Sequence, residues 1–143
     1  MNAIDLAWAA GLFEGEGAIK IDRSGHNQCR LMAAVGMTDL EVLSFFHLRW
    51  GGSLSAQRVR PECRPQWRWA VVSRMARSFL TDIEPYLRSA RVRQKAALAL
   101  QFQAQKRPGR GSASELVAYR ERQWAFWEVM HGLNLRGIKE AVA

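Results

Sequence analysis

Hydrophobic and polar positions divide the chain into short periodic segments. Residues 3–13 are apolar or small and read as a helix that ends as Gly15 and Gly17 arrive. The next stretch, AIKID, alternates: Ile19 and Ile21 point one way, Lys20 and Asp22 the other. A turn in RSGHNQ leads to a second strand, QCRLMAAVGM, in which Gln28 and Arg30 oppose Cys29 and Leu31. TDLE has the spacing of a capping box from Thr38 to Glu41, and a second helix follows to RWGG. Two more strands, SLSAQRVR and PQWRWAVV, are joined by a Pro-containing turn.

Met75, Ala76, Phe79, Leu80 and Ile83 then recur at helical spacing up to EPYL, giving a third helix. A fourth spans RSARVRQKAALALQFQAQ, and KRPGRGS is a loop. A fifth covers residues 115–131, with Ser112 opening a second capping box and the last dozen residues fraying. The order αββαββ followed by helices predicts an α+β fold, with helices on one face of an antiparallel sheet and the other face free. At 143 residues, without a linker or low-complexity tract, the chain is expected to be one domain with its core in residues 4–131.

The formal charge is +8 and the pI near 10.5. Of the 21 Lys and Arg, 13 fall between Arg58 and Arg110, beside only Glu62, Asp82 and Glu84. A concentrated positive charge points to a polyanion, either nucleic acid or an anionic membrane surface; an ordinary solvated basic surface is the plainer alternative. The membrane option loses ground because the basic residues mix with strand patterns rather than lining one amphipathic helix. With no leader pattern and no long apolar run, a cytoplasmic protein, associated with the nucleoid through DNA, is expected. Cys29 and Cys63 form no CxxC and the histidines no ligand spacing, so buried reduced thiols are expected rather than zinc or disulfides.

The free sheet face collects Lys20, Asp22, Gln28, Arg30, Gln66 and Arg68. Gln57, Arg58 and Arg60 add to it from the third strand, though a bulge would change their facing. Arg and Gln match guanine and adenine edges in a major groove, which admits a β-ribbon. Arg93 and Lys95 add charge at the start of the fourth helix.

In AWAAGLFEGEG, Ala7, Ala10, Gly11 and Glu14 share one helical face, with Ile4, Trp8 and Leu12 on another. The large residues are expected in the core. Ala7, Gly11 and Gly15 at spacing four would let a second helix approach closely. No later segment repeats that pattern, so a second copy of the chain is its economical source, in a two-fold homodimer. A Rossmann loop is excluded because this GEG follows a helix and precedes a strand.

Residues 9–17, AAGLFEGEG, resemble the signature of the LAGLIDADG homing endonucleases, with Ala9 where Leu is usual. Weaker similarity through DLEVLSFF, the GG before the third strand and IEPYLRSARVRQKAALAL extends over most of residues 4–103. The resemblance implies a single-motif homodimer with a saddle-shaped sheet on double-stranded DNA, cutting both strands of a long near-palindromic site. It implies a divalent cation, Mg²⁺ or another such as Mn²⁺, with Ca²⁺ as a non-cleaving substitute, and no small-molecule cofactor. It assigns metal binding and catalysis to Glu16, an additional carbonyl ligand to Gly15, and a structural or interface role to Glu14. Arg91, Arg93 and Lys95 compete for the basic position near the scissile phosphate, and Arg91 is preferred. Met37 departs from the family, which often has Gln there. An RNA maturase and a catalytically silent DNA-binding regulator remain alternatives on the same scaffold.

Overall fold

The computed structural model describes residues 1–24 and 28–142, so the centre of the expected RSGHNQ turn lies outside the described residues. The elements are α1 (Ala3–Glu16), β1 (Gly17–Ser24), β2 (Gln28–Met37), α2 (Leu40–Trp50), β3 (Ser53–Gln57), β4 (Gln66–Val72), α3 (Ser73–Ile83), a 3-10 turn (Glu84–Tyr86), α4 (Ala90–Ala104) and α5 (Ala113–Val142). The strands form one antiparallel sheet in the order β1-β2-β4-β3. This is the α+β arrangement that the alternation predicts.

One sheet face carries Ile19, Ile21, Leu31, Ala33, Val35, Trp69 and Val71, all buried beneath helices. An aromatic cluster fills the space between layers: Phe79 lies 5.0 Å from both Trp69 and Phe13 and 4.8 Å from Trp50, centroid to centroid. Such edge-on pairs add to the stabilisation from burial alone. The indole N–H groups have acceptors, Trp69 donating to the Gly51 carbonyl at 2.8 Å and Trp50 to Asp82 Oδ2 at 2.9 Å.

Two glycines are demanded by close approach. A side chain at Gly17 would overlap the Phe13 ring, and at Gly52, where φ is 88°, it would overlap the Ala70 carbonyl. Gly17 therefore lets β1 start directly beneath the end of α1.

Several boundaries differ from expectation. α1 runs through Gly11 and Gly15 to Glu16 and opens on a capping box, with the Asp5 N–H donating to Asn2 Oδ1 at 2.9 Å. The N-cap of α2 is Asp39, accepting from the Val42 N–H at 3.2 Å, rather than Thr38. β3 stops at Gln57, opposite Gln66, ahead of a turn bounded by Pro61 and Pro65, neither of which has an N–H to give to a ladder. Arg58 and Arg60 consequently sit in the β3–β4 loop, not on the strand. α5 continues as helix well past residue 131. Cys63 is exposed rather than buried, and Cys29 is half-buried. Among the described residues, no helix is long and apolar enough to cross a membrane.

Candidate nucleic-acid interface

The uncovered sheet face is built by strand parity. Asp22 pairs with Arg30, Lys20 with Met32, Gly36 and Ser55 flank Arg68, and Gln57 pairs with Gln66. Gln28, Arg30, Gln57 and Gln66 are exposed, while Lys20, Asp22 and Arg68 are half-buried. The Lys20 ammonium lies 3.3 Å from Asp22 Oδ1, and Arg68 Nη2 lies 3.3 Å from Met32 Sδ. Arg68 stands over Gly36, so no side chain from that neighbour covers it. The face therefore presents charged and amide groups at strand spacing, and at its β1 edge Lys20 and Asp22 border Trp127, His131 and Asn134 of α5. The expected face residues on β1, β2 and β4 come together, joined by Gln57 of β3. Arg58 and Arg60 flank them from the loop.

Glu16 ends α1, one residue before β1. Its side chain is exposed and has no hydrogen bond or ion pair with a described residue. Glu14 differs. Its Oε1 accepts the backbone N–H of Ser89 at 3.0 Å and that of Arg88, capping the start of α4. Gly15 is exposed in the last turn of α1, where helix carbonyls lack intrahelical amide partners.

Arg91 and Arg93 are exposed and Lys95 is half-buried on α4. Arg91 and Lys95 share a helix face at i, i+4. Burial, with the nearby Arg91 charge adding to it, holds the Lys95 ammonium below its usual pKa of 10.5. Glu16 and Arg91 are not ion-paired.

The faces of α1 are distributed differently from expectation. Ala9, Ala10 and Phe13 enter the core. Ala10 has no exposed surface, so it cannot contribute contact to a partner chain. Ala7 and Gly11 face outward, as do Ile4, 79% exposed, and Trp8, 42% exposed, which had been expected inside. Trp8 leans on Phe45 at 5.8 Å, and with Phe45 and Leu48 of α2 it lines an open apolar groove of about 630 Å³. A second groove runs between Ala7, Gly11 and Glu14 and the turn at Pro85–Arg88. A Cβ on Gly11 or Gly15 would meet no atom of the described residues within 4 Å, so close packing among them does not call for glycine at either helical position. The outward Phe45 and Leu48 were legible: Leu43, Phe46 and Trp50 already supply the buried stripe of α2, and these two fall off it.

No sequence-family model matches the chain, and no curated protein sequence matches it. Solved structures do. Complexes of the homing endonuclease I-CvuI with DNA targets superpose with a TM-score of 0.68, covering 91% of this chain and 82% of that one, at 18% and 23% identity. The LAGLIDADG homing endonuclease I-GzeII, also in complex with a DNA target, gives 0.61 at 12% identity, with this chain spanning 43% of its length. The homing endonuclease I-TnaI gives 0.55 at 14% identity over 97% of its chain. The fold is that of the LAGLIDADG homing endonucleases, single-domain ones included.

Proposed function

We propose that this chain is a site-specific double-stranded DNA endonuclease that works as a homodimer with a divalent cation. The observation that carries this reading is the setting of Glu16. A solvent-facing carboxylate without a partner among the described residues ends the helix whose outward side is small and apolar, immediately before the edge strand of the open polar sheet.

In this reading the sheet lies in the major groove, where Arg30, Arg68, Gln28, Gln57 and Gln66 contact base edges. Lys20, Arg58, Arg60 and Arg93 hold phosphates. Ala7 and Gly11, extended by Ile4, Trp8, Phe45 and Leu48, meet the same surface of a second chain, an isologous contact that removes apolar area from water.

The donors at the end of α1 suit a hard cation such as Mg²⁺: the Glu16 carboxylate and the Gly15 carbonyl. Among the described residues no group of three His, Cys, Asp or Glu side chains converges. In this reading Glu16 and the Gly15 carbonyl of one chain would hold the cation together with Glu16 of a second copy and phosphate oxygens of the duplex. The cation, when bound, supplies Lewis acidity toward the scissile phosphate and the attacking water. Arg91 offers charge to the same phosphate from α4. The structural neighbours on DNA targets, one in the presence of Mg with its DNA not cleaved and one in the presence of Ca, support a DNA partner and a divalent cation.

The test is incubation of the purified protein and Mg²⁺ with a randomised duplex library, followed by sequencing of cut ends. A two-fold-related consensus is expected. Specific binding without cutting would instead make the chain a silent regulator, and preference for folded RNA over duplex DNA would make it a maturase.

A further inference from the structure

We propose that the cavity between the start of β2 and α5 is a pocket for one backbone phosphate of the duplex, outside the bases that the sheet reads; it rests on the DNA-binding reading above. The cavity measures about 120 Å³, room for a single tetrahedral anion, and Arg107, Tyr119 and Arg120 line it. No acid lines it, and neither arginine is paired with an acid among the described residues.

Its hydrogen-bonding capacity is directed inward. Gln123 is buried, and the Cys29 N–H donates to its Oε1 at 3.4 Å. That bond fixes the amide orientation, so Nε2 faces Tyr119 and donates to the phenol oxygen at 2.7 Å. A phenol that accepts there keeps its own proton to give. Two arginines and one oriented O–H therefore line the cavity with no carboxylate among its described lining residues, a set of donors that suits a charged oxyanion. Burial pushes the Cys29 thiol up, against the opposing Arg23 charge, so this wall brings no thiolate.

Position names the source of the anion. Gln28 borders the cavity and by strand alternation belongs to the open face, whereas Cys29 and Gln123 belong to the helix layer, so the cavity sits at the end of the sheet where Ser24 pairs with Gln28, between the two faces. A contact there adds affinity and register without reading sequence.

The experiment is duplex binding against KCl concentration for the full chain, Arg120→Gln, Arg107→Gln and Tyr119→Phe. Loss of one phosphate contact is expected to reduce the slope of log K against log salt by about 0.9 for either arginine variant. Between 50 and 200 mM KCl such a variant then loses roughly threefold less affinity than the parent, equally on target and random duplexes. Tyr119→Phe, which keeps the ring, should weaken both duplexes alike. A neutral methylphosphonate at one position per half-site should erase the difference between parent and Arg120→Gln.

Unchanged slopes with normal parent binding would overturn the pocket, as would losses confined to particular bases. Inorganic phosphate that raises the melting temperature of the parent but not of Arg120→Gln, with DNA slopes unaltered, would assign a free anion and overturn the backbone assignment. Failure of the parent to bind any duplex would overturn the DNA reading itself.

Discussion

Glu14 and Ser89 join the two helices that carry the proposed cleavage chemistry: Oε1 of Glu14 accepts the Ser89 N–H at 3.0 Å, and the Arg88 N–H converges on the same oxygen. Ser89 is the N-cap of α4 and Arg88 precedes it, so these two amides lie at the positive end of the helix, where negative charge is favoured. The carboxylate thus fixes the start of α4 to the end of α1, two residues from Arg91 on one side and two from Glu16 on the other. Glu14→Ala should cost about 1–3 kcal/mol in urea unfolding, with Glu14→Gln losing less because it keeps an acceptor oxygen. An unchanged midpoint for the alanine variant would remove Glu14 from this role.

Glu16, in the same turn, has no partner among the described residues, so its substitution separates chemistry from folding. Glu16→Gln should leave the melting temperature and the affinity for a target duplex near those of the parent and abolish cutting in Mg²⁺. Cleavage at the parental rate would exclude the residue from metal binding.

Gly11 tests the dimer. Its Cβ position is empty space within one chain, so Gly11→Leu leaves the core untouched and relieves the helical penalty of glycine, about 1 kcal/mol. A partner helix packed against that face has no room for the new side chain. Sedimentation should show monomers for Gly11→Leu and for Trp8→Glu, with folding retained. A dimer of unchanged mass in both variants places the interface elsewhere.

Strand alternation made the sheet readable in advance, because each face meets one environment: Ile19 and Trp69 the helices, Arg30 and Arg68 solvent. On α1 the same logic of large side chains inside failed. Ala9 and Ala10 let the helix sit close on its own sheet, and Ile4 and Trp8 are left outward beside Phe45. The outward side of α1 follows from which neighbour each residue meets, and periodicity in a helix this rich in alanine and glycine weakly distinguishes its sides. The Arg107, Tyr119 and Arg120 pocket had no local signal at all. Its lining comes from the start of β2, the α4–α5 loop and α5, and Gln123 bonds a β2 amide 94 residues away.

Arg68 separates base reading from phosphate holding. Half-buried between Gly36 and Ser55 on the open face, it has the reach of a bidentate guanine contact. Arg68→Ala should relax preference at particular base pairs, at a cost of about 1–3 kcal/mol on the preferred sequence and little on others. Measured across a library, a uniform loss would make it a phosphate contact instead.

Lys95 gives a dependence on pH whose sign follows from its surroundings. Burial and the neighbouring Arg91 lower its pKa from 10.5, so the fold disfavours the ammonium relative to the unfolded chain. The unfolded state then binds more protons between the folded and unfolded pKa values, and stability rises with pH across that window. Below it the penalty is present in full. Lys95→Met should accordingly melt at a higher temperature than the parent at pH 7, and the gain should shrink as pH rises through the lysine range toward 10.5. A phosphate beside the Arg91–Lys95 face reverses the balance by favouring both charges, so the same variant should bind duplex DNA more weakly, with a shallower salt slope. Melting curves at pH 7 and near pH 10.5, with and without duplex at the lower pH, measure both effects; a parent more stable than the variant at pH 7 without DNA would show that the ammonium has a stabilising partner.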